Sequence, residues 1–290
     1  MTGPAEAIRD AARLLADARV ASPANDARQL MGYVTGRTPI GLLGLAELSE
    51  TQQERYWALV HARAERVPLQ HLTGRARFRN VELAVGPGVF IPRPETELVA
   101  QAGIDEAVLH PGALVVELCA GSGAISAAVA DEVPGVHLVA IEDEPAATAW
   151  LARNLAGSMA RIVQADIAEP RPELTHRAHV VVANPPYVPL TDRDRLPPEV
   201  RDHDPAHALF AGPDGLAMFP VVCLAAGRLL RPSGLVVVEH GDDQQSACAR
   251  FLSAAGFAEI SRHRDLAGRP RFVTGRVMTG LGRGPDIAAR

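Results

Sequence analysis

Val115-Val116-Glu117-Leu118-Cys119-Ala120-Gly121-Ser122-Gly123-Ala124 is an apolar run that breaks into small residues and then resumes in helical spacing. The valines and Leu118 read as a buried strand, and Gly121 and Gly123 as a Gly-x-Gly turn into a helix. Glycines there let a ligand approach the backbone closely, and the helix start offers N–H groups with no intrahelical partner. The stretch departs from the dinucleotide fingerprint, because Ser126 stands where a third glycine would be. Glu117 is a poor neighbour for a pyrophosphate and a good one for a cationic ligand.

Towards the C-terminus the same alternation continues. Strands are expected at 113–118, 136–142, 161–164, 178–183, 234–240, 257–263 and 270–276, and helices at 123–131, 145–156, 214–230 and 243–255. Strands separated by helices imply βαβ units and a mostly parallel sheet. Only a turn at 265–269 separates the last two strands, so they are expected to pair antiparallel at an edge. The tail after Met278 is Gly-rich and expected to be disordered.

Towards the N-terminus the pattern is helical. Ile8, Leu14 and Leu15 form a weak stripe, Ser22-Pro23 opens a helix that Gly36 stops, and Ser49 with Gln52 is a capping-box pattern. The latter opens a helix to about Arg66, which Pro68 and Gly74 break. Residues 76–92 alternate apolar and polar around Phe78, Val81, Leu83 and Val85, so a short hairpin is expected before a helix that runs to about His110. The domains expected are a helical, partner-docking one at 1–75, the hairpin linker at 76–92, an α/β domain at 93–277 and the tail at 278–290.

The 290 residues are 47% hydrophobic, and no apolar run reaches the ~20 residues that span a bilayer. Cys119, Cys223 and Cys248 lack the close spacing of a zinc site or a disulfide framework, so no metal is expected and a reducing cytoplasm fits. A net charge of −5 argues against a general nucleic-acid binder. Arginines do gather at Arg63, Arg66, Arg75, Arg77, Arg79 and Arg93, as a solvated surface or a local basic face.

The expected strand ends carry a constellation. Glu142-Asp143 ends the strand after the Gly-x-Gly turn, where a carboxylate can hold both hydroxyls of a ribose. Asp166-Ile167 ends the next one, where an aspartate can accept from an adenine amino group. Asn184-Pro185-Pro186-Tyr187 ends the strand His179-Val180-Val181-Val182-Ala183 in a rigid, extended turn, because each proline locks φ and restricts the residue before it. Polar groups at the carboxyl ends of strands are where open α/β sheets bind ligands.

This order of sites resembles class I S-adenosylmethionine-dependent methyltransferases, and Asn-Pro-Pro-Tyr is similar to the motif of those that methylate planar nitrogens. Phe90-Ile91-Pro92-Arg93-Pro94-Glu95-Thr96-Glu97, Glu239-His240-Gly241 with Gln244, and Asp265-Leu266-Ala267-Gly268-Arg269 resemble the HemK/PrmC family of protein-(glutamine-N5) methyltransferases. The resemblance runs from about 66 to 276. It implies a seven-stranded, mostly parallel Rossmann-like sheet with an antiparallel last strand. It implies S-adenosylmethionine as cofactor, held by Glu117, Cys119, Ala120, Gly121, Ser122, Gly123, Glu142, Asp166, Ile167 and Asn184. The substrate would be the Gly-Gly-Gln glutamine of class 1 peptide chain release factors, with no membrane and no direct nucleic-acid substrate. Asn184, Pro185, Pro186 and Tyr187 would bind it and carry catalysis, the Asn184 oxygen and the Pro185 carbonyl accepting from its –NH₂. Two positions depart from the family, which commonly has Asp and Gly where this chain has Glu117 and Cys119. Glu239 reads as a loop holder or as a direct participant, and Arg93 as a wall of the pocket or part of a helix-entry turn. A ribosomal-protein glutamine and a nucleic-acid amino group are the alternative acceptors.

Overall fold

The computed structural model describes residues 3–278, so the expectation for the tail beyond Met278 lies outside the described residues. The N-terminal helices are α1 (Pro4–Asp17), α2 (Pro23–Thr35), α3 (Pro39–Leu43), α4 (Glu50–Ala64) and α5 (Leu69–Thr73). Proline occupies the first turn of α1, α2 and α3, where its missing N–H costs nothing. The Ser49–Gln52 capping box opens α4, with Gln52 N–H on Ser49 Oγ at 3.2 Å and Ser49 N–H on Gln52 Oε1 at 3.0 Å. Ala7, Ala11 and Leu15 of α1 pack with Leu30, Met31, Tyr56 and Val60 into one core.

In chain order β1 (Arg75–Phe78), β2 (Val81–Ala84), α6 (Thr96–Ala107), β3 (Leu114–Leu118), α7 (Ala124–Glu132), β4 (His137–Glu142), α8 (Pro145–Asn154), β5 (Arg161–Gln164) and β6 (Ala178–Ala183) follow. Then come α9 (Pro198–His203), α10 (Ala206–Leu209), α11 (Met218–Leu229), β7 (Leu230–Glu239), α12 (Gln245–Ala254), β8 (Phe257–Arg264) and β9 (Pro270–Val277). β1 and β2 pair alone, and the pairing ends at Ala84, so the ribbon is shorter than the 76–92 expected for it.

The remaining strands form one sheet in the order β5-β4-β3-β6-β7-β9-β8. The five strands from β5 to β7 are parallel, whereas β9 runs antiparallel to both β7 and β8. β9 therefore lies inside the sheet, and β8 forms the edge. Successive residues of each central strand face opposite layers, as the pleat requires. Val115, Ala140, Val180, Val182 and Val237 pack under α6, α7 and α8. Val116, Val139, Val181, Val236 and Val238 pack under α11 and α12. With both faces covered, the strands read as continuous apolar runs.

The chain divides into two compact units, and the division is not sequential. Leu196–His203, which contains α9, groups with α1–α5, while the second unit comprises Ala76–Arg195 and the chain from Asp204 onward. Within the first unit, Arg63 lies between Asp26 at 2.8 Å and Glu199 of α9 at 2.9 Å, and Arg66 grips both oxygens of Glu199. Burial alone would push the Glu199 carboxyl up, but hydrogen bonds from Arg66 and Arg63 outweigh it and hold it at about 2. This corrects the reading of the arginine cluster as one surface. Arg63 is buried in an ion-pair network, Arg79 is paired with Glu132, and Arg93 with Asp204. Among the described residues no helix is long and apolar enough to cross a membrane.

Candidate active site

The parallel register sets the carboxyl ends of the central strands side by side. Leu118 pairs with Ile141 and with Ala183, and Glu142 with Gln164, so Cys119, Asp143, Ala165 and Asn184 leave the sheet along one edge. The chain winds outward from β3 through β4 to β5, then returns to β6 on the other side of β3. Such a reversal opens a crevice at the strand ends. A cavity of about 320 Å³ lies there, within the range of small-molecule sites.

Its floor is the turn after β3. Cys119 at φ 55, Gly121 at φ 54 and Gly123 at φ 78 are all left-handed. Glu117, next to last in β3, is 3% exposed, and its carboxylate accepts from Ser126 N–H at 2.8 Å and from the Ser126 hydroxyl. The serine at the position of the missing third glycine thus anchors the first turn of α7 to β3. Glu142 accepts from Gly121 N–H at 2.7 Å and from Glu144 N–H at 3.0 Å, clamping the turn to the end of β4. Asp166, exposed at the end of β5, caps Ala168 N–H at 2.8 Å.

Among the residues expected to bind the cofactor or substrate, Glu117, Cys119, Ala120, Gly121, Ser122, Glu142, Asp166, Ile167, Asn184, Pro185, Pro186 and Tyr187 line the cavity. Gly123 does not. A Cβ there would fall 2.5 Å from Leu151, so this glycine serves the packing of α8 against the turn. The wall also holds Phe90, Pro92, Thr96, Asp143, Leu209 and Phe210. Arg93 itself is off the wall. Its guanidinium covers the Phe90 ring at 4.9 Å and pairs with Asp204, fixing the segment that presents Phe90.

Four carboxylates and no arginine line the cavity, which suits a cation. Burial pushes Glu117 up to about 8, the Ser126 donors pull it back, and the nearby Glu142 adds to the rise. Burial also raises Glu142 and pushes the Cys119 thiol up, so Cys119 is neutral and unreactive at ordinary pH. Among the described residues no three His, Cys, Asp or Glu side chains converge on a metal position.

The turn after β6 is held from behind. Asn184 Nδ2 donates to Thr96 Oγ1 at 3.2 Å, and among the described residues Asn184 Oδ1 has no partner. The Tyr187 hydroxyl donates to Glu239 Oε1 at 3.0 Å, and Gln244 Nε2 donates to the Tyr187 carbonyl at 2.8 Å. Gly215 passes so close that a Cβ would lie 2.2 Å from the Tyr187 carbonyl oxygen. Thr96, Gly215 and the Glu239–Tyr187 bond join segments far apart in sequence, and no local pattern signals them.

Sheets of this order, with the final strand reversed and the site at the ends of β3, β4 and β6, are those of class I methyltransferases. Residues 6–74 match the PrmC N-terminal domain and residues 99–195 the methyltransferase small domain. The chain is 45% identical over 276 residues to the release factor glutamine methyltransferase of Streptomyces coelicolor, covering 93% of this chain and 96% of the relative. It is 43% identical over 278 residues to the release factor glutamine methyltransferase of Mycolicibacterium smegmatis, covering 94% and 98%. A 4-amino-L-phenylalanine/4-methylamino-L-phenylalanine methyltransferase of Streptomyces pristinaespiralis is 40% identical over 207 residues, 70% of each chain. The chain belongs to the release factor glutamine methyltransferase family.

Proposed function

We propose that this protein transfers a methyl group from S-adenosylmethionine to the side-chain amide nitrogen of the Gly-Gly-Gln glutamine in class 1 release factors, in the cytoplasm. The observation that carries the reading is Asn184: its amide nitrogen is tied to Thr96, and its oxygen is left without a partner on a cavity wall. An amide nitrogen is a poor nucleophile, because its lone pair is delocalised into the carbonyl. Two acceptors, Asn184 Oδ1 and the Pro185 carbonyl, would hold the two hydrogens of the substrate –NH₂ and aim the nitrogen's lone pair. This is catalysis by position and electrostatics, without a strong base.

The donor set fits the cofactor. S-adenosylmethionine, when bound, supplies a methyl group on a positively charged sulfur, open to in-line attack. Burial holds Glu117 and Glu142 towards their neutral forms, and a cation beside the turn after β3 would draw out their charge. Glu142 would hold ribose hydroxyls and Asp166 would accept from an adenine amino group. We assign α1–α5, which coincide with the PrmC N-terminal domain match, to docking of the protein acceptor. An acceptor held by phosphate contacts is disfavoured by the net charge of −5 and by a cavity wall without arginine.

The test is incubation with a release factor and methyl-labelled S-adenosylmethionine, followed by peptide mapping. Label is expected on the Gly-Gly-Gln glutamine and is lost when that glutamine is replaced by alanine. Label on a ribosomal protein, on DNA or on free 4-amino-L-phenylalanine, with none on the release factor, overturns the reading.

A further inference from the structure

Behind the Asn-Pro-Pro-Tyr turn lies a buried carboxylate that the chemistry above does not use. Glu239 is the last residue of β7 and is 1% exposed. Its Oε1 accepts the Tyr187 hydroxyl at 3.0 Å. Its Oε2 is sealed from solvent without a close partner among the described residues, and the Thr96 hydroxyl is the neighbouring donor that draws on the carboxylate's charge. The same Thr96 oxygen accepts from Asn184 Nδ2 at 3.2 Å. Glu239 therefore borders both polar members of the turn, Tyr187 directly and Asn184 through one hydroxyl.

We infer that ionised Glu239 is a positioning residue that accepts hydrogen bonds from the Tyr187 and Thr96 hydroxyls and so forces Asn184 to present its oxygen, not its amide nitrogen, to the acceptor. The inference rests on the reading of Asn184 as the acceptor of a substrate N–H. A threonine hydroxyl has one hydrogen to give, and an ionised carboxylate can only accept. With that hydrogen committed to Glu239, the Thr96 oxygen offers Asn184 a lone pair alone, and only the –NH₂ end of Asn184 can meet it. When Glu239 is protonated the constraint is lost. The Thr96 hydrogen then becomes available to Asn184 Oδ1, and the amide can turn over. Asn184 would then face the substrate –NH₂ with its own –NH₂, donor against donor.

The groups around Glu239 make that change of charge accessible. Thr96 and Glu95 face it from the start of α6, Tyr187 from the turn after β6, and Arg271 from β9. Arg271 is itself engaged by Asp242 at 2.9 Å and Asp265 at 3.2 Å, so its charge is shared. The adjoining His240 is fully buried with its Nδ1 on the Gly241 carbonyl at 2.8 Å, and burial lowers its pKa. Burial pushes the Glu239 carboxyl up to about 7, against the pull of Thr96, Arg271 and Tyr187 and with a further push from Glu95.

The experiment measures single-turnover methylation of a release factor by the intact protein at saturating S-adenosylmethionine, from about pH 5.5 to 8.5. The pKa values of a kcat-type profile then belong to the loaded complex. Wild-type protein is expected to lose rate on the acid side along a one-proton limb. Glu239→Gln, which keeps the shape and removes the charge, is expected to lower the plateau about 10- to 100-fold and to abolish the limb, with cofactor affinity by calorimetry unchanged. Thr96→Val should reproduce the drop, and Thr96→Ser should recover most of it. Wild-type turnover in Glu239→Gln, or a limb that persists in it, overturns the inference. So does a rate loss that follows weakened cofactor binding, which marks a merely structural residue. An Asn184→Ala protein with unchanged turnover sinks the underlying reading. A slow Asn184→Ala beside a normal Glu239→Gln sinks the inference alone.

Discussion

Asn184 shows how one hydrogen bond orients a reactive site, since tying Nδ2 to Thr96 selects which end of the amide is left over. Removing a preorganised partner of this kind costs about 10²–10³ in rate, so Asn184→Ala should lose methylation by that factor at an unchanged thermal midpoint. Cys119 is a non-glycine residue held at a backbone angle that favours glycine. At φ 55 it carries the left-handed strain of a non-glycine residue, about 1–2 kcal/mol. Cys119→Gly and Cys119→Ala both lose the sulfur, but only glycine relieves the strain. Urea titration should find the glycine variant the more stable of the two by about 1 kcal/mol. Glu117 was legible as an acid just before the Gly-x-Gly turn; its bond to Ser126 was not, because it depends on how α7 docks. Its carboxyl rises from 4.5 unfolded to about 8 folded, so the folded state holds a proton that the unfolded chain has released in between. Stability is therefore lost as pH rises through that window. In calorimetric melts Glu117→Gln should gain on the wild type between pH 5 and about 9, while its binding of S-adenosylmethionine weakens.

At the scale of elements, the strand–turn–helix units were readable because each is announced by a short apolar run and a break, and β3 through β9 fall within a few residues of the expected bounds. The arginines were misread for the opposite reason. The partner of Arg63 and Arg66 is Glu199, more than 130 residues away on a six-residue helix with no periodic signal. Breaking a buried ion pair costs about 3–5 kcal/mol, and Glu199 keeps 17% of its side chain exposed, so Glu199→Gln should cost somewhat less, about 2 kcal/mol. The Glu199 carboxyl is held at about 2 against 4.5 in the open chain, so its contribution is present above pH 4.5 and lost as pH falls towards 2. Trp57, on α4, and Trp150, on α8, are the two tryptophans, so a Trp150→Phe background lets fluorescence report the helical unit by itself. Acid titrations of the two proteins in that background should converge below pH 3; parallel curves across the whole range would contradict the ion-pair account.

For the whole molecule, the mostly parallel sheet and the edge on which the cavity opens were legible from the alternation, whereas the strand order, with β9 set between β7 and β8, was not. The stretch from 188 to 217 was not legible. Its helices are short, and its bonds, such as Val188 N–H to the Leu209 carbonyl at 2.8 Å, are set by the surrounding fold. Exchanging residues 196–203 for a flexible Gly-Ser run should lower the Trp57-reported urea midpoint and leave the Trp150-reported one nearly in place; equal shifts would show that α9 is not part of the helical unit. The membership of Leu196–His203 in that unit has a consequence for how the chain can be taken apart. A fragment cut after Arg75 carries Arg63 and Arg66 without the acid that neutralises them, and what remains carries that acid without its arginines. Neither half is a module in the genetic sense. A swap of the N-terminal region between relatives must therefore exchange two segments of coding sequence, one at the start and one past the middle.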